Sequence, residues 1–238
     1  MTRLVHVCIA SLLLSACGGD TPDFGPETDP TSAQQTGITT TEQSLIVFAA
    51  ADTQGPATAS AALGLATSSL LLIQSDQSNR VGIGRDDSWP PNLRRLAAAP
   101  GALLEDCAVV TSNTVVWTNC TQSGFTINGQ VSWVPGHVEV DIQIDGTIQG
   151  FTFHYGLEGG ITVTPTSIKG DMTLTGSASG SGASFSQTVR SQIDVEMTDR
   201  CITSGTLTVT VSGSGNGSQN GAVQILWTGC HAIRVRNA

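Results

Sequence analysis

Val138-Glu139-Val140-Asp141-Ile142-Gln143-Ile144-Asp145 alternates apolar and polar residues without a break. A period of two puts every apolar side chain of an extended chain on one face, so this stretch reads as a strand with one buried and one wet side. Such half-wet strands belong to antiparallel sheets, because parallel strands are covered on both faces and read as continuous apolar runs. The same rhythm returns downstream. Phe185, Val189, Ile193, Val195 and Met197 alternate with Arg190, Gln192, Asp194 and Glu196, and Leu207, Val209 and Val211 alternate with threonines.

Working outward, turn-type dipeptides punctuate these runs: Asn128-Gly129, Asp145-Gly146 and Lys169-Gly170, with Gly/Ser tips at 176–183 and 213–221. Asx-Gly pairs suit tight hairpins because both central residues need φ > 0. The expectation is a mainly β domain, an antiparallel meander of nine or ten strands. It forms a sandwich or an open (half) barrel, with one or two N-terminal helices packed against it.

The helical pattern lies before Cys107. Thr39-Thr40-Thr41-Glu42 has capping-box spacing and leads into Ser44 to Asp52. After Gly55-Pro56, the residues Ala59, Leu63, Ala66, Leu70 and Ile73 recur at helical intervals. Residues 39–75 are therefore expected to pack helically on a sheet spanning 107–238, the whole of 39–238 forming one domain. Residues 18–38 are rich in Pro, Gly, Thr and acids and predict a flexible tether.

The first sixteen residues have the form of a signal peptide. Arg3 precedes a short apolar run from Leu4 to Leu14, too brief to span a bilayer, and Leu14-Ser15-Ala16-Cys17 closes it. This tetrad resembles the lipobox of bacterial lipoproteins. The resemblance implies cleavage before Cys17, acylation of its thiol, and membrane attachment through the lipid. Gly18 follows instead of the Asp that retains members of that family in the inner membrane, which implies the outer membrane. The mature part resembles, in composition, β-rich exported lipoproteins of unassigned function.

Composition narrows the partners. The 238-residue chain carries 10 Lys and Arg against 19 Asp and Glu, a net charge of −9. Loss of Arg3 with the leader takes this to −10. No basic cluster exists for phosphate backbones, so nucleic acid is not an expected partner. The expected partners are the membrane, through the lipid, and either a protein or an apolar small molecule.

With Cys8 in the leader and Cys17 lipidated, four cysteines remain, an even number in an oxidising compartment. Trp117-Thr118-Asn119-Cys120 and Trp227-Thr228-Gly229-Cys230 are near copies, each ending a run that a cysteine begins. A turn at Asn113-Thr114 sets Cys107 against Cys120, and a tip over 212–219 sets Cys201 against Cys230. The predicted bonds are Cys107–Cys120 and Cys201–Cys230. The two tryptophans are expected in the core, with a sugar-stacking platform as the alternative.

No nucleophile elbow, P-loop or HExxH motif occurs, and nothing calls for a cofactor. One constellation remains. A two-residue turn at Asp145-Gly146 sets His137 opposite His154, with Glu139 beside them, a donor set able to hold a transition metal. Three functions follow from these readings. The first is a non-catalytic envelope scaffold or binding domain. The second is a periplasmic carrier whose apolar ligand meets Leu63, Leu70, Ile73, Phe151, Phe153 and Tyr155. The third is a metal-dependent hydrolase at His137 and His154. A scarcity of aromatic residues argues against a membrane-embedded barrel.

Overall fold

A computed structural model describes residues 22–49, 61, 65, 107–122, 125–148, 150–180, 182–215 and 220–238. Among the described residues the named elements are α1 (Ser32–Ala49), β1 (Ala108–Val110), β2 (Thr114–Gln122), β3 (Phe125–Val134), β4 (His137–Ile148), β5 (Phe151–Val163), β6 (Ser167–Gly180), β7 (Ala183–Thr198), β8 (Cys201–Gly215), β9 (Gly221–Gly229) and β10 (Ala232–Asn237). The strands form a single antiparallel sheet in strict sequence order, β1 to β10. The sheet is open, since β1 and β10 are its edges. All ten strands share this one sheet, so the expected meander takes the open form rather than that of a two-sheet sandwich.

The alternation in β4 works as its chemistry requires. Val138, Val140, Ile142 and Ile144 are buried on an inner face, in one cluster with Val189, Ile193, Leu207 and Val209. Helix α1 adds Ile38, Leu45 and Phe48 to the same cluster. Its buried stripe is Gln34, Ile38, Thr41, Leu45 and Phe48, spaced 4, 3, 4 and 3, one face of a helix. The polar members are satisfied locally: Thr41 Oγ1 donates to Gly37 O at 3.0 Å and Ser44 Oγ to Thr40 O at 3.0 Å.

Three sequence expectations are corrected here. The helix begins at Ser32, inside the segment expected to be a tether, and Thr39–Glu42 lies within it rather than at its start. The capping box is Thr31–Gln34: Gln34 N–H donates to Thr31 Oγ1 and Thr31 N–H to Gln34 Oε1 at 2.9 Å. Second, residues 22–31 lie along β10, with Gly25 N–H donating to Asn237 O, and Thr28 bridging Val235. This strap also pairs Glu27 with Arg236 and Asp29 with Arg234, and it covers an edge that otherwise exposes unpaired backbone. Third, Asn128-Gly129, Asp145-Gly146 and Lys169-Gly170 are not turns but lie inside β3, β4 and β6. Gly129, at φ +118°, sits where a Cβ would meet Asp141 O at 2.1 Å. Close strand approach, not chain reversal, requires glycine there.

Of the predicted second helix, only Ala61 and Leu65 are described. Both are helical and buried. The predicted face Ala59-Leu63-Ala66-Leu70-Ile73 lies outside the described residues, as do the leader and Cys17.

Both cysteine pairings are present. Cys107–Cys120 and Cys201–Cys230 each hold their Cα atoms 5.6 Å apart. The registers differ from those expected. Ala108 faces Trp117, so straight pairing would set Cys107 against Thr118. A bulge after Trp117, with Asn119 at φ +48° and its N–H held by Asn128 Oδ1 at 2.7 Å, brings Cys120 into place. Cystines of this kind belong to an oxidising, exported environment.

Candidate functional site

The outer face of the sheet is a grid of polar rows running across the strands. Thr126, Asp145, His154, Ser177, Ser186 and Ser214 form one row, and Gln143, Gly156, Thr175, Thr188 and Ser212 the next. In the row after that, Asp141, Glu158, Thr173 and Arg190 bring charge, as do Glu139 and Asp171 beyond them.

This register separates the proposed metal ligands. β4 pairs with β5 as far as Ile148 opposite Phe151, and Gly150 at φ +82° supplies a left-handed position between them. His137 therefore faces Thr162, and His154 faces Asp145. The two histidines stand eight residue rises apart along the strands, roughly 27 Å. Each pairs with a carboxylate of its own: His137 Nε2 with Glu139 Oε2 at 2.8 Å, and His154 Nδ1 with Asp145 Oδ1 at 2.6 Å. His137 and His154 therefore form no common metal site with Glu139, and the hydrolase reading loses the cluster it was built on. Cys201, Cys230 and His231 also cluster, but the sulfurs are joined in a disulfide and offer no thiolate.

A shallow cleft of about 410 Å³ opens on the outer face around Asp145, His154, Gly156, Thr175, Ser177 and Ser186. Gly156 forms its floor, since a Cβ there would press on Thr175 Oγ1 at 2.8 Å. With Asp145 accepting from Nδ1–H, the imidazole of His154 turns Nε2 to solvent. The cleft offers hydroxyls, one imidazole and one carboxylate, groups suited to hydrogen-bonding a polar ligand. Sequence reasoning missed it because a turn at Asp145-Gly146 dispersed the row. Placing the reversal at Gly150 is the signal that would have found it.

The expected apolar ligand row points the other way. Phe153 and Tyr155 are buried on the inner face, their rings stacked at 6.4 Å and 12°. The Tyr155 ring lies over Gly176, where a Cβ would meet it at 2.8 Å, and burial raises its phenol well above the usual value. Phe151 opens β5, while Leu63, Leu70 and Ile73 lie outside the described residues. Trp117 and Trp227 are 2% and 3% exposed, which removes the sugar-stacking platform.

No protein-family model, curated protein or solved structure matches the chain.

Proposed function

We propose that the chain is a cell-envelope lipoprotein, a non-catalytic binding scaffold held at the membrane through Cys17 and sorted to the outer membrane. The observation that carries this reading is the strap. Residues 22–31 are bound along β10, so the chain running back toward the Leu14-Ser15-Ala16-Cys17 tetrad leaves from a fixed edge of the sheet. Two cystines at opposite edges support export and a stiff body. The open polar cleft supports contact with a polar partner rather than enclosure of a substrate.

The test is metabolic labelling with a clickable palmitate, together with fractionation of wild type and Cys17→Ser. Label and membrane association in the wild type, both lost in the variant, support the reading. A variant that stays membrane-bound and labelled overturns it.

One observation favours a second reading, carriage of an apolar ligand on the inner face. Trp133 Nε1 is buried without an acceptor among the described residues, and an unpaired buried donor costs about 1–3 kcal/mol. A ligand oxygen would relieve it. Native mass spectrometry showing an extractable bound mass would support the carrier, and a clean apo mass would oppose it.

A further inference from the structure

We propose that the sheet stands on the membrane on one particular end, the end carrying Ile148, Gly150, Gly180, Gly182 and Gly215, with its hydroxyl-rich outer rows among the lipid headgroups and most of the sheet's carboxylates held away. The inference rests on the lipid anchor proposed above and adds the orientation and the contact surface.

The first argument is reach. The strap runs antiparallel to β10, Gly25 meeting Asn237 and Thr28 meeting Val235, so toward its N-terminus it heads for this end. Pro22 and Phe24 are half-buried and Asp23 is exposed, as an extended segment lying on the body requires. Cys17 lies five residue steps before Pro22. Fully extended, they span at most ~17 Å. Following the paired register, the turns at the opposite end (Gly136, Asp199 and Arg200) lie seven to eleven residue rises back from Pro22, roughly 24–37 Å. By the same register Gly215 lies about three rises ahead of Pro22, roughly 10 Å, and Gly182 and Gly150 about six, so the acyl chains reach the β8–β9 corner of the near end and no turn of the far one.

The second argument is charge. The two outermost rows at the near end contain Thr126, Thr147, Thr152, Ser177, Ser179, Ser184, Ser186 and Ser214, with Asp145 and His154 as an internal pair. The described connecting residues at this end, Gly150, Gly182 and Asn220, carry no charge. On the sheet's outer face Glu139, Asp141, Glu158, Asp171, Asp194 and Glu196 sit in the rows toward the far end, while the strap's exposed Asp23 stays on the near side. Anionic headgroups repel carboxylates, whereas neutral hydroxyls hydrogen-bond to phosphate and ester oxygens. The partner that fits this end is the headgroup layer itself, and the cleft around His154 lies beside it.

The test uses the full lipidated protein in phosphatidylethanolamine and phosphatidylglycerol vesicles doped with a headgroup-attached quencher. Fluorophores are placed singly at Ser184→Cys and Thr166→Cys, both exposed, some thirteen residue rises or roughly 44 Å apart. Strong quenching at position 184 and little at 166 is expected. Equal quenching, or stronger quenching at 166, overturns the orientation while the anchor stands. Wild type that does not bind the vesicles overturns the anchor and this inference with it. A label-free readout needs no variant: hydrogen exchange at Gly180 and Gly215 slows on vesicle binding, and slowing confined to Gly136 and Asp199 would contradict the proposal.

Discussion

Trp227 Nε1 donates a hydrogen bond to Glu42 Oε1 at 2.8 Å, tying α1 to β9 across 185 residues of chain. The indole is buried and the carboxylate only half so, and the bond fixes how the helix lies on the inner face. A hydrogen bond to a charged group contributes about 1.5–3 kcal/mol. Glu42→Ala should therefore destabilise by about that amount in denaturant unfolding, and Glu42→Gln by less, since the amide oxygen can still accept. A double-mutant cycle with Trp227→Phe should show coupling above ~0.5 kcal/mol. Strict additivity would mean that the helix is seated by packing alone.

Gly129 is the second sensitive point. At φ +118°, with Asp141 O only 2.1 Å from a Cβ in its place, any side chain forces β3 and β4 apart. Backbone strain alone is worth about 1–3 kcal/mol, and the clash adds to it. Gly129→Ala should lower the thermal midpoint sharply, whereas Gly182→Ala, which meets nothing within 4 Å, should lose only the strain of its positive φ. Similar losses at both sites would refute the close-approach argument.

The cystines should contribute unequally. The Cys107–Cys120 loop spans 13 residues and Cys201–Cys230 spans 29. Loop-closure entropy gives about 3 kcal/mol for the first and about 3.6 kcal/mol for the second. Unfolding of the paired Ser variants measures both. The second bond also joins the β7–β8 and β9–β10 turns, where Asp199, Arg200 and His231 adopt positive φ. Its removal should speed exchange there more than at β4.

Tyr155 is the only tyrosine, so its phenolate reports on the core alone. Desolvation raises its folded pKa above the unfolded value of about 10. The unfolded state then releases the proton first. The stabilisation is fully present below pH ~10 and is lost as pH rises toward the folded pKa, by up to ~1.4 kcal/mol per pH unit. Alkaline titration should show phenolate absorbance appearing together with loss of the β signal. A smooth titration near pH 10 with the fold intact would contradict the burial.

The sequence made the sheet legible where one physical rule acted alone. Val138 to Ile144 alternate because one side faces the core, and the structure buries those side chains. The cysteine pairs were readable from their position at the ends of hairpin runs, although the bulge at Asn119 that seats Cys120 was not. Register failed because glycine has two uses. Gly129 and Gly170 looked like turn residues but lie where a neighbouring backbone leaves no room for a Cβ, Gly160 O standing 2.4 Å away in the case of Gly170. Asp145-Gly146, read as a turn but lying inside β4, set His137 opposite His154 and hid the row around His154. The start of helix α1 escaped for a different reason: Gln34, Thr41 and Ser44 are half of its described buried side chains, so apolar periodicity could not mark where it begins.

The measurement that bears most directly on the account is the intact, non-reduced mass of the protein extracted from cell membranes. The account predicts a chain of residues 17–238 carrying acyl chains on Cys17 and lacking four hydrogens for two disulfides. A chain that keeps residues 1–16, or begins elsewhere without lipid, would contradict it.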